Sequence, residues 1–500
     1  MLNARSIQGI AVLIIGTFLA IWLGIALVTN QLETILQVSV GALLLICALL
    51  GHRIWLLLIL FTSMNVALWR WLGSIDVGQM LFIGFSLALF LMRKLRFELK
   101  IRELEVWVIL ISLCIVQAYM RNPVGMHILG SGSVGGRPYF VLALAITSAA
   151  ILSTLIVPPK ELKWALRLSL FGGFLGIPLQ MARTGSLTTT SAEDMSRIPT
   201  LATCANLISR WVSSRLSPLR ACFHPLWALV ILASIAMAAA SGYRNSVAAI
   251  GFIYLAGIFY HGGFRSFMGS LLLGSFALLM LAFINLNFPL PGNMQRALSP
   301  LPGSWEEQYI ASADQSTEWR VEMWKEALFT DRWIQNKFLG DGIGMTAAQL
   351  DQNENLAVTR GGKSSSGLLI QQENMLASGS YHSGPVHSVR MVGYVGLLIL
   401  LLAMIRVAVH AHRQILRCKG TEWSPVALFF GIPLIIHPFF FIFVFGEYHT
   451  AVAQMTLGLA MVRLMERNIP LPAYVVNHRR VHVPLAVRDR AGEVQNARSV

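Results

Sequence analysis

Apolar runs long enough to cross a membrane recur along most of this chain. A transmembrane helix needs about 20 apolar residues to cross ~30 Å of hydrocarbon. The candidate spans are 8–29, 33–50, 54–72, 77–92, 104–120, 139–157, 164–182, 225–241, 244–260, 266–287, 391–408, 424–444 and 447–463. A weaker, amphipathic candidate covers 197–213. The pattern predicts an all-α polytopic membrane protein with about 12–14 transmembrane helices and one large, partly helical extracytoplasmic loop.

Composition supports a membrane protein and argues against several other classes. Hydrophobic residues make up 55% of the chain, charged residues 13%, and the mean hydropathy is +0.63, whereas an ordinary soluble domain has about 25% charged residues. The net charge of +15 comes from short Lys and Arg clusters between apolar runs. Such clusters are typical of topology signals rather than of nucleic-acid binding. The five cysteines lack CxxC spacing, which argues against a disulfide framework or a zinc site.

The basic connectors set the expected orientation, because cytoplasmic loops of membrane proteins carry an excess of Lys and Arg. The connectors that we expect in the cytoplasm are 93–102, 158–167, 209–220, 261–265 and 410–419. These five connectors lie on the same side of the membrane only if 197–213 crosses it. The chain then has about 14 spans, with both termini in the cytoplasm. The connectors 121–137 and 183–196 then lie outside, as does the long segment 288–390.

Four parts of the chain are expected to differ in character. They are N-terminal transmembrane helices (1–287), a large extracytoplasmic loop (288–390), C-terminal transmembrane helices (391–465) and a basic cytoplasmic tail (466–500). Within the loop, residues 316–338 have apolar residues at helical spacing, and Ser316 or Thr317 is the expected N-cap. The glycines of GDGIG (340–344) are expected to break this helix.

Motifs for several kinds of chemistry are missing from the sequence. It has no GxxxxGK[ST] nucleotide loop, no HExxH metal site and no GxSxG elbow, so ATP-driven transport and zinc proteolysis lack support. Asp and Glu are nearly absent from the expected spans, whereas ion-coupled transporters keep such groups near the membrane midplane. The remaining candidates are polar groups at the outer ends of spans or on the loop: Arg244, Arg320, His382 and His387.

The candidate cations also have ordinary structural explanations. Arg244 could anchor its helix at the membrane interface, and Arg320 could be a solvated residue on an exposed helix face. In the functional interpretation they bind an anionic lipid headgroup, since a guanidinium group can bind phosphate oxygens in a bidentate manner. Arg137 follows a glycine-rich stretch whose backbone amides could approach a phosphate, or it could be another anchor.

Four short motifs, in this order, resemble the O-antigen ligase and O-antigen polymerase superfamily of integral-membrane glycosyltransferases. They are SGYR (241–244) at the start of a span, RVEMW (320–324) in a loop helix, LGDGIG (339–344) as a glycine turn, and a histidine, His382, eleven residues before GYVG (393–396). The resemblance covers mainly residues 225–463. The spans before residue 225 match only as hydrophobic helices.

The chain departs from the family pattern directly after this histidine. The residues SGP (383–385) follow His382, where the family often has asparagine and an uninterrupted helix. His387 therefore remains a rival, although it lies only six residues before Gly393. We prefer His382 on spacing, and we interpret His387 and Arg390 mostly as interfacial support.

The resemblance implies transfer of a glycan from an undecaprenyl diphosphate carrier to an acceptor hydroxyl, with inversion, on the outer face of the bacterial inner membrane. Arg244 and Arg320 would neutralise charge on the leaving diphosphate. His382 would remove the acceptor's proton as a neutral imidazole, with Arg137 and His387 as auxiliary residues. Two arginines would take the place of a metal ion, so neither a metal nor a cofactor is expected.

The expected partners are the lipid-linked glycan donor, a glycan or lipid acceptor, membrane lipids and other polysaccharide-assembly proteins. Gly393 and Gly396 are expected to let the next helix pack closely behind His382. Polymerase and ligase activities both stay open, because they use the same donor chemistry. A second hypothesis is a transporter or flippase for polysaccharide or lipid-linked glycan, which would be expected to carry charged groups deep within its spans.

Overall fold

The computed structural model describes residues 49–66, 73–92, 103–123, 136–184, 189–190, 196–288, 290–299, 303–342, 375–376, 379 and 381–470. The expected span 8–29 and nearly all of 33–50 lie outside the described residues. So do residues 343–374 of the large loop and the tail from residue 471 onward.

The described chain is helical apart from one pair of two-residue strands. A 3₁₀ helix (Gly51–Arg53) precedes the α-helices, which are α1 (Ile54–Met64), α2 (Ser74–Leu91), α3 (Glu103–Arg121), α4 (Arg137–Thr154), α5 (Pro159–Thr184), α6 (Pro199–Arg215), α7 (Pro218–Ala221), α8 (Pro225–Ala240), α9 (Arg244–Asn287), α10 (Gly292–Leu298), α11 (Glu307–Phe329), α12 (Gly384–Cys418), α13 (Ser424–Phe443) and α14 (Tyr448–Asn468). Strands β1 (Thr189–Thr190) and β2 (Ser196–Arg197) pair antiparallel.

Seven described helices are long and apolar enough to cross a membrane: α2, α3, α4, α5, α9, α12 and α13. The expected spans 54–72, 197–213 and 225–241 correspond to the shorter helices α1, α6 and α8. Two further expected spans share α9, which is broken at Gly263, where φ is 76°. The described part of the chain therefore has the all-α, multi-pass architecture that we predicted, with fewer full-length spans than the expected number of about 12–14.

The weak candidate span at 197–213 forms a helix inside the bundle. α6 packs against α5, α8, α9 and α13. Its Ser213 is buried, and the hydroxyl donates to the carbonyl oxygen of Ile253 at 3.3 Å. Gly257 leaves room for this contact, since a Cβ atom there would lie 2.7 Å from the Ser213 Cβ. Because α6 packs against four helices, it can have small polar residues at positions where a lipid-facing helix would need large apolar ones.

The C-terminal helices α12 and α14 run parallel, and their ends define the two ends of the bundle. At one end, the N–H of Tyr448 donates to His387 Nδ1 at 2.9 Å. At the other end, Arg417 donates to the carbonyl oxygen of Glu466 at 2.9 Å. We call the end with the starts of α12 and α14 the motif end, and the end with their last turns the basic end.

Candidate functional site

His382 lies at the motif end, directly before α12. Ser383 is the N-cap of this helix. His382 adopts a φ of 51°, in the left-handed region that residues other than glycine rarely occupy. Its partly exposed ring packs against the ring of Phe445, with 5.5 Å between the centroids. The chain therefore turns sharply at the histidine and leaves part of its ring accessible.

Trp324, the last residue of the RVEMW motif, holds the segment that carries His382. Its indole Nε1 donates to the carbonyl oxygen of Tyr381 at 2.7 Å, across 57 residues of sequence. Tyr381 is fully buried, in a small core that also contains Met323 and Trp333. The helix of the large loop and the histidine segment are therefore packed together.

Arg320 shares the face of α11 that meets the histidine segment. It lies four residues before Trp324, and residues at this spacing are neighbours on one helix face. One turn of helix is about 5.4 Å long, so the half-buried Arg320 side chain starts about one turn away from the hydrogen bond to Tyr381. Two of the predicted site residues, Arg320 and His382, thus belong to segments in direct contact.

The helix that carries Arg320 differs from its predicted bounds at both ends. α11 begins at Glu307 with Glu306 as N-cap, so the predicted N-cap at Ser316 or Thr317 is wrong. The first turn has its own apolar contact, because Ile310 packs on the cluster around Trp305. The helix ends at Phe329, before the glycine turn, and residues 330–340 form turns.

The serine of the SGYR motif shapes the turn from which α9 starts. Its hydroxyl donates to the carbonyl oxygen of Ala238 at 2.6 Å, and it accepts from the N–H of Tyr243 at 3.3 Å. Gly242 has a φ of 73°, which glycine adopts without steric cost. Arg244 is then the first residue of α9.

Contacts along α9 place Arg244 at the motif end. Tyr260, sixteen residues later, has its hydroxyl 2.7 Å from Nδ1 of His412, which lies toward the basic end. Between Arg244 and Tyr260, the ring of Phe252 packs on Phe439 of α13, with 4.8 Å between the centroids. Since sixteen helical residues span about 24 Å, the start of α9 lies at the same end of the bundle as the start of α12.

The described part of LGDGIG, residues 339–342, fits into a break in α12 and is called the glycine turn below. Gly393 interrupts this helix with a φ of 72°, and a Cβ atom there would collide with the carbonyl oxygen of Phe338. A Cβ atom on Gly340 would in turn collide with the backbone of Gly393. The N–H of Asp341 donates to the carbonyl oxygen of Arg390 at 2.6 Å. Gly393 therefore admits the loop, and not a neighbouring helix as we expected.

Side chains from the turn and from α3 hold this glycine turn in place. The carboxylate of Asp341 accepts from the N–H groups of residues 335–336 at 2.7 and 2.9 Å. Arg121, the last residue of α3, donates to the carbonyl oxygens of residues 339–340 at 2.9 and 2.5 Å. Sequence reasoning did not find Arg121, because an arginine that ends a span is ordinarily an interfacial anchor.

Arg137 lies close to the same turn. It is the first residue of α4, and the ring of Tyr139 packs edge-to-face on Tyr119 at 5.0 Å. A Cβ atom added at Gly342 would lie 2.7 Å from the hydroxyl of Tyr139. The start of α4 therefore borders the glycine turn, which packs against α12.

His387 is a buried residue that connects two helices. It lies within α12, only 4% exposed. The backbone N–H of Tyr448 donates to its Nδ1 at 2.9 Å. Because an amide N–H can only donate, Nδ1 is the acceptor, and the neutral ring carries its proton on Nε2. The ring thus ties the start of α14 to α12.

Arg390 is buried as well, at 1% exposure, so its side chain faces neither lipid nor water. Its guanidinium carbon lies 6.0 Å from the centre of the Tyr381 ring, and Nη1 donates to the carbonyl oxygen of Leu376 at 3.5 Å. Burial raises the pKa of the Tyr381 phenol, although the nearby Arg390 opposes the shift. The neutral Tyr381 side chain therefore anchors the histidine segment in the small core.

Replacing Gly393 with alanine should destabilise the protein by about 3 kcal/mol, because the new side chain meets the Phe338 carbonyl and occupies an unfavourable backbone region. Thermal unfolding of the purified protein in detergent measures this loss. Gly84→Ala is the matched control, since Gly84 is helical and has nothing within 4 Å of its added Cβ. Equal melting temperatures for the two variants would contradict the close contact at Gly393.

No protein-family model matches the chain, and no curated protein matches it either. The candidate site is therefore defined by contacts within the chain. They join the Arg320 helix to the His382 segment and tie the glycine turn to α12. They also place Arg137 and Arg244 at the same end of the bundle.

Proposed function

We propose that this protein is a membrane glycosyltransferase that moves a glycan from an undecaprenyl diphosphate carrier to an acceptor hydroxyl at the outer face of a bacterial inner membrane. It would act as a polysaccharide polymerase or as a glycan ligase. The observation that carries the proposal is the 2.7 Å hydrogen bond from Trp324 to the carbonyl oxygen of Tyr381. It joins the helix of one candidate phosphate-binding arginine to the residue before the candidate base.

In the proposed reaction, the acceptor oxygen attacks the anomeric carbon as the bond from this carbon to the diphosphate oxygen breaks. Undecaprenyl diphosphate leaves with the bonding electron pair, and the acceptor's proton passes to His382. Attack opposite the leaving group inverts the anomeric centre. Arg244 and Arg320 stabilise the negative charge that develops on the diphosphate.

The different surroundings of the two histidines favour His382 as the base. A base must come within about 3 Å of the oxygen atom whose proton it removes. The His382 ring is partly exposed at the motif end. His387 is 4% exposed, and a backbone N–H already occupies its Nδ1.

The glycine turn supports the proposal by fixing the large loop to α12. Catalysis by positioned charges requires that they be held before the substrate arrives. The backbone bond from Asp341 to Arg390 and the close approach of Gly340 to Gly393 connect the loop to the helix that follows His382. The loop helix is thus held at two places, by this turn and by Trp324.

The proposal is tested with the purified full chain in proteoliposomes that contain an undecaprenyl-diphosphate-linked oligosaccharide. A polymerase should release undecaprenyl diphosphate and lengthen the lipid-linked glycan. A ligase should release it only when an acceptor lipid or protein is added. Movement of the donor between leaflets without release of undecaprenyl diphosphate would instead favour the flippase hypothesis and contradict the proposed transfer.

A further inference from the structure

A polar pocket lies at the basic end, away from the candidate site. It has a volume of about 200 Å³ and lies where α3, α12 and α14 meet. Its lining residues are Glu103, Leu104, Arg406, Val409, His410, Arg413 and Arg463. The proposed glycan transfer gives this pocket no role, because it adjoins the last turns of α12 rather than the segment of His382.

The charged groups in the pocket differ in how firmly they are paired. Arg463 bonds to Glu105 at 3.0 Å and to Glu466 at 2.6 Å, and Glu466 also lies 3.2 Å from His410. These groups form a compact network in which Arg463 is largely buried. This network therefore holds His410 and Arg463 in place where they line the pocket.

Two arginines on α12 are better placed to bind a ligand. Arg406 meets Glu103 at 3.3 Å, but both side chains are more than half exposed, and such a pair adds little stability. Arg413 is exposed and, within the described part of the chain, makes no hydrogen bond or ion pair. The two arginines lie seven residues apart, which puts them on one face of α12, about 10 Å apart along its axis.

An apolar surface continues from this pocket toward the motif end. Among the exposed apolar residues are Val106, Ile109, Leu113 and Val116 on α3, and Leu398, Leu402, Ile405 and Val409 on α12. Each set has the spacing of a single helix face, and α3 packs on α12. Ten helical residues rise about 15 Å, which is about half of the ~30 Å hydrocarbon thickness. The apolar surface is therefore at least as long as one leaflet is thick.

We propose that this pocket binds the headgroup of an anionic phospholipid from the leaflet at the basic end. The phosphodiester lies between Arg406 and Arg413, and the acyl chains lie along the apolar faces of α3 and α12. Arginine suits this role because its guanidinium group donates several hydrogen bonds to phosphate oxygens. The phosphate displaces the Glu103 carboxylate from Arg406. A basic pocket between helices, next to an apolar surface at least one leaflet long, fits an amphiphile with an anionic head.

Lipid binding to the purified full chain, measured by native mass spectrometry with phosphatidylglycerol and phosphatidylcholine, tests the proposal. Arg406→Gln and Arg413→Gln should each weaken phosphatidylglycerol binding about five-fold. Glu103→Gln should strengthen it, because the competing carboxylate is gone. Arg167→Gln is the matched control: Arg167 is an exposed arginine of α5 that packs on Trp164 and does not line the pocket.

Several results would overturn the proposal. Equal binding of phosphatidylcholine and phosphatidylglycerol would show that the headgroup charge is not recognised. A loss in Arg167→Gln as large as that in Arg413→Gln would indicate a general surface effect. Inorganic phosphate or glycerophosphoglycerol that displaces the lipid at equal concentration would indicate a soluble anion as the ligand. The thermal stability of each variant without added lipid shows whether it has folded.

Discussion

His382→Ala should lower the rate of glycan transfer about 10²–10⁴-fold, because the acceptor hydroxyl then attacks without a positioned base. The fold should persist, since the ring of His382 is partly exposed and contacts Phe445 at the surface of the bundle. In cells, lipid-linked glycan should accumulate on the outer leaflet. The purified assay should show donor binding without release of undecaprenyl diphosphate.

His387 supplies the control for this prediction. In His387→Asn the amide oxygen can replace Nδ1 as the acceptor for the N–H of Tyr448, so that α12 and α14 stay connected. We expect His387→Asn to retain most of its activity and His382→Asn to lose it. If the activities were reversed in correctly inserted variants, His387 would be the base and the spacing argument for His382 would be wrong.

The fold class could be predicted from the sequence because lipid imposes a simple pattern on helices that face it. α2, α3, α4 and α13 fall close to the predicted spans. α6 gave only a weak signal, because four helices surround it and remove the need for apolar side chains. α12 begins at Gly384, seven residues before the expected start, and its first turns are buried in protein rather than apolar and lipid-facing.

The candidate site residues could be named from short motifs, but the contacts between the segments that carry them could not be predicted. The bond from Trp324 to the Tyr381 carbonyl uses a backbone acceptor, which leaves no signal in the residue type. Arg121 likewise binds backbone carbonyls of the glycine turn. Such contacts depend on where the chain passes, and a list of side chains does not specify them.

The two glycines of GYVG have different contacts from those that we expected. Both were expected to admit a neighbouring helix. Gly393 instead admits the backbone of the glycine turn, at a positive φ, and Gly396 lies against Val392 of its own helix. A glycine in an apolar run can serve a helix contact or a helix break, and sequence spacing does not distinguish the two.

Arg320→Ala should reduce transfer about 10²–10³-fold, as expected for the loss of one preorganised donor to the leaving group. Arg320→Lys should recover only part of the activity, because it keeps the charge but loses the bidentate geometry of the guanidinium group. Steady-state rates with the lipid-linked donor measure both effects. The loss should appear in kcat more than in KM, because the negative charge on the diphosphate increases as the bond breaks.

Lys325 provides the matched control for this arginine, since it is an exposed cation on the same helix, five residues away. Five residues place it about 140° around the helix from Arg320, away from the face that holds Trp324. Lys325→Ala should therefore leave the rate near that of the unmodified protein. Similar losses in Lys325→Ala and Arg320→Ala would mean that the overall charge of α11 matters. In that case Arg320 would attract the anionic substrate without holding its diphosphate during transfer.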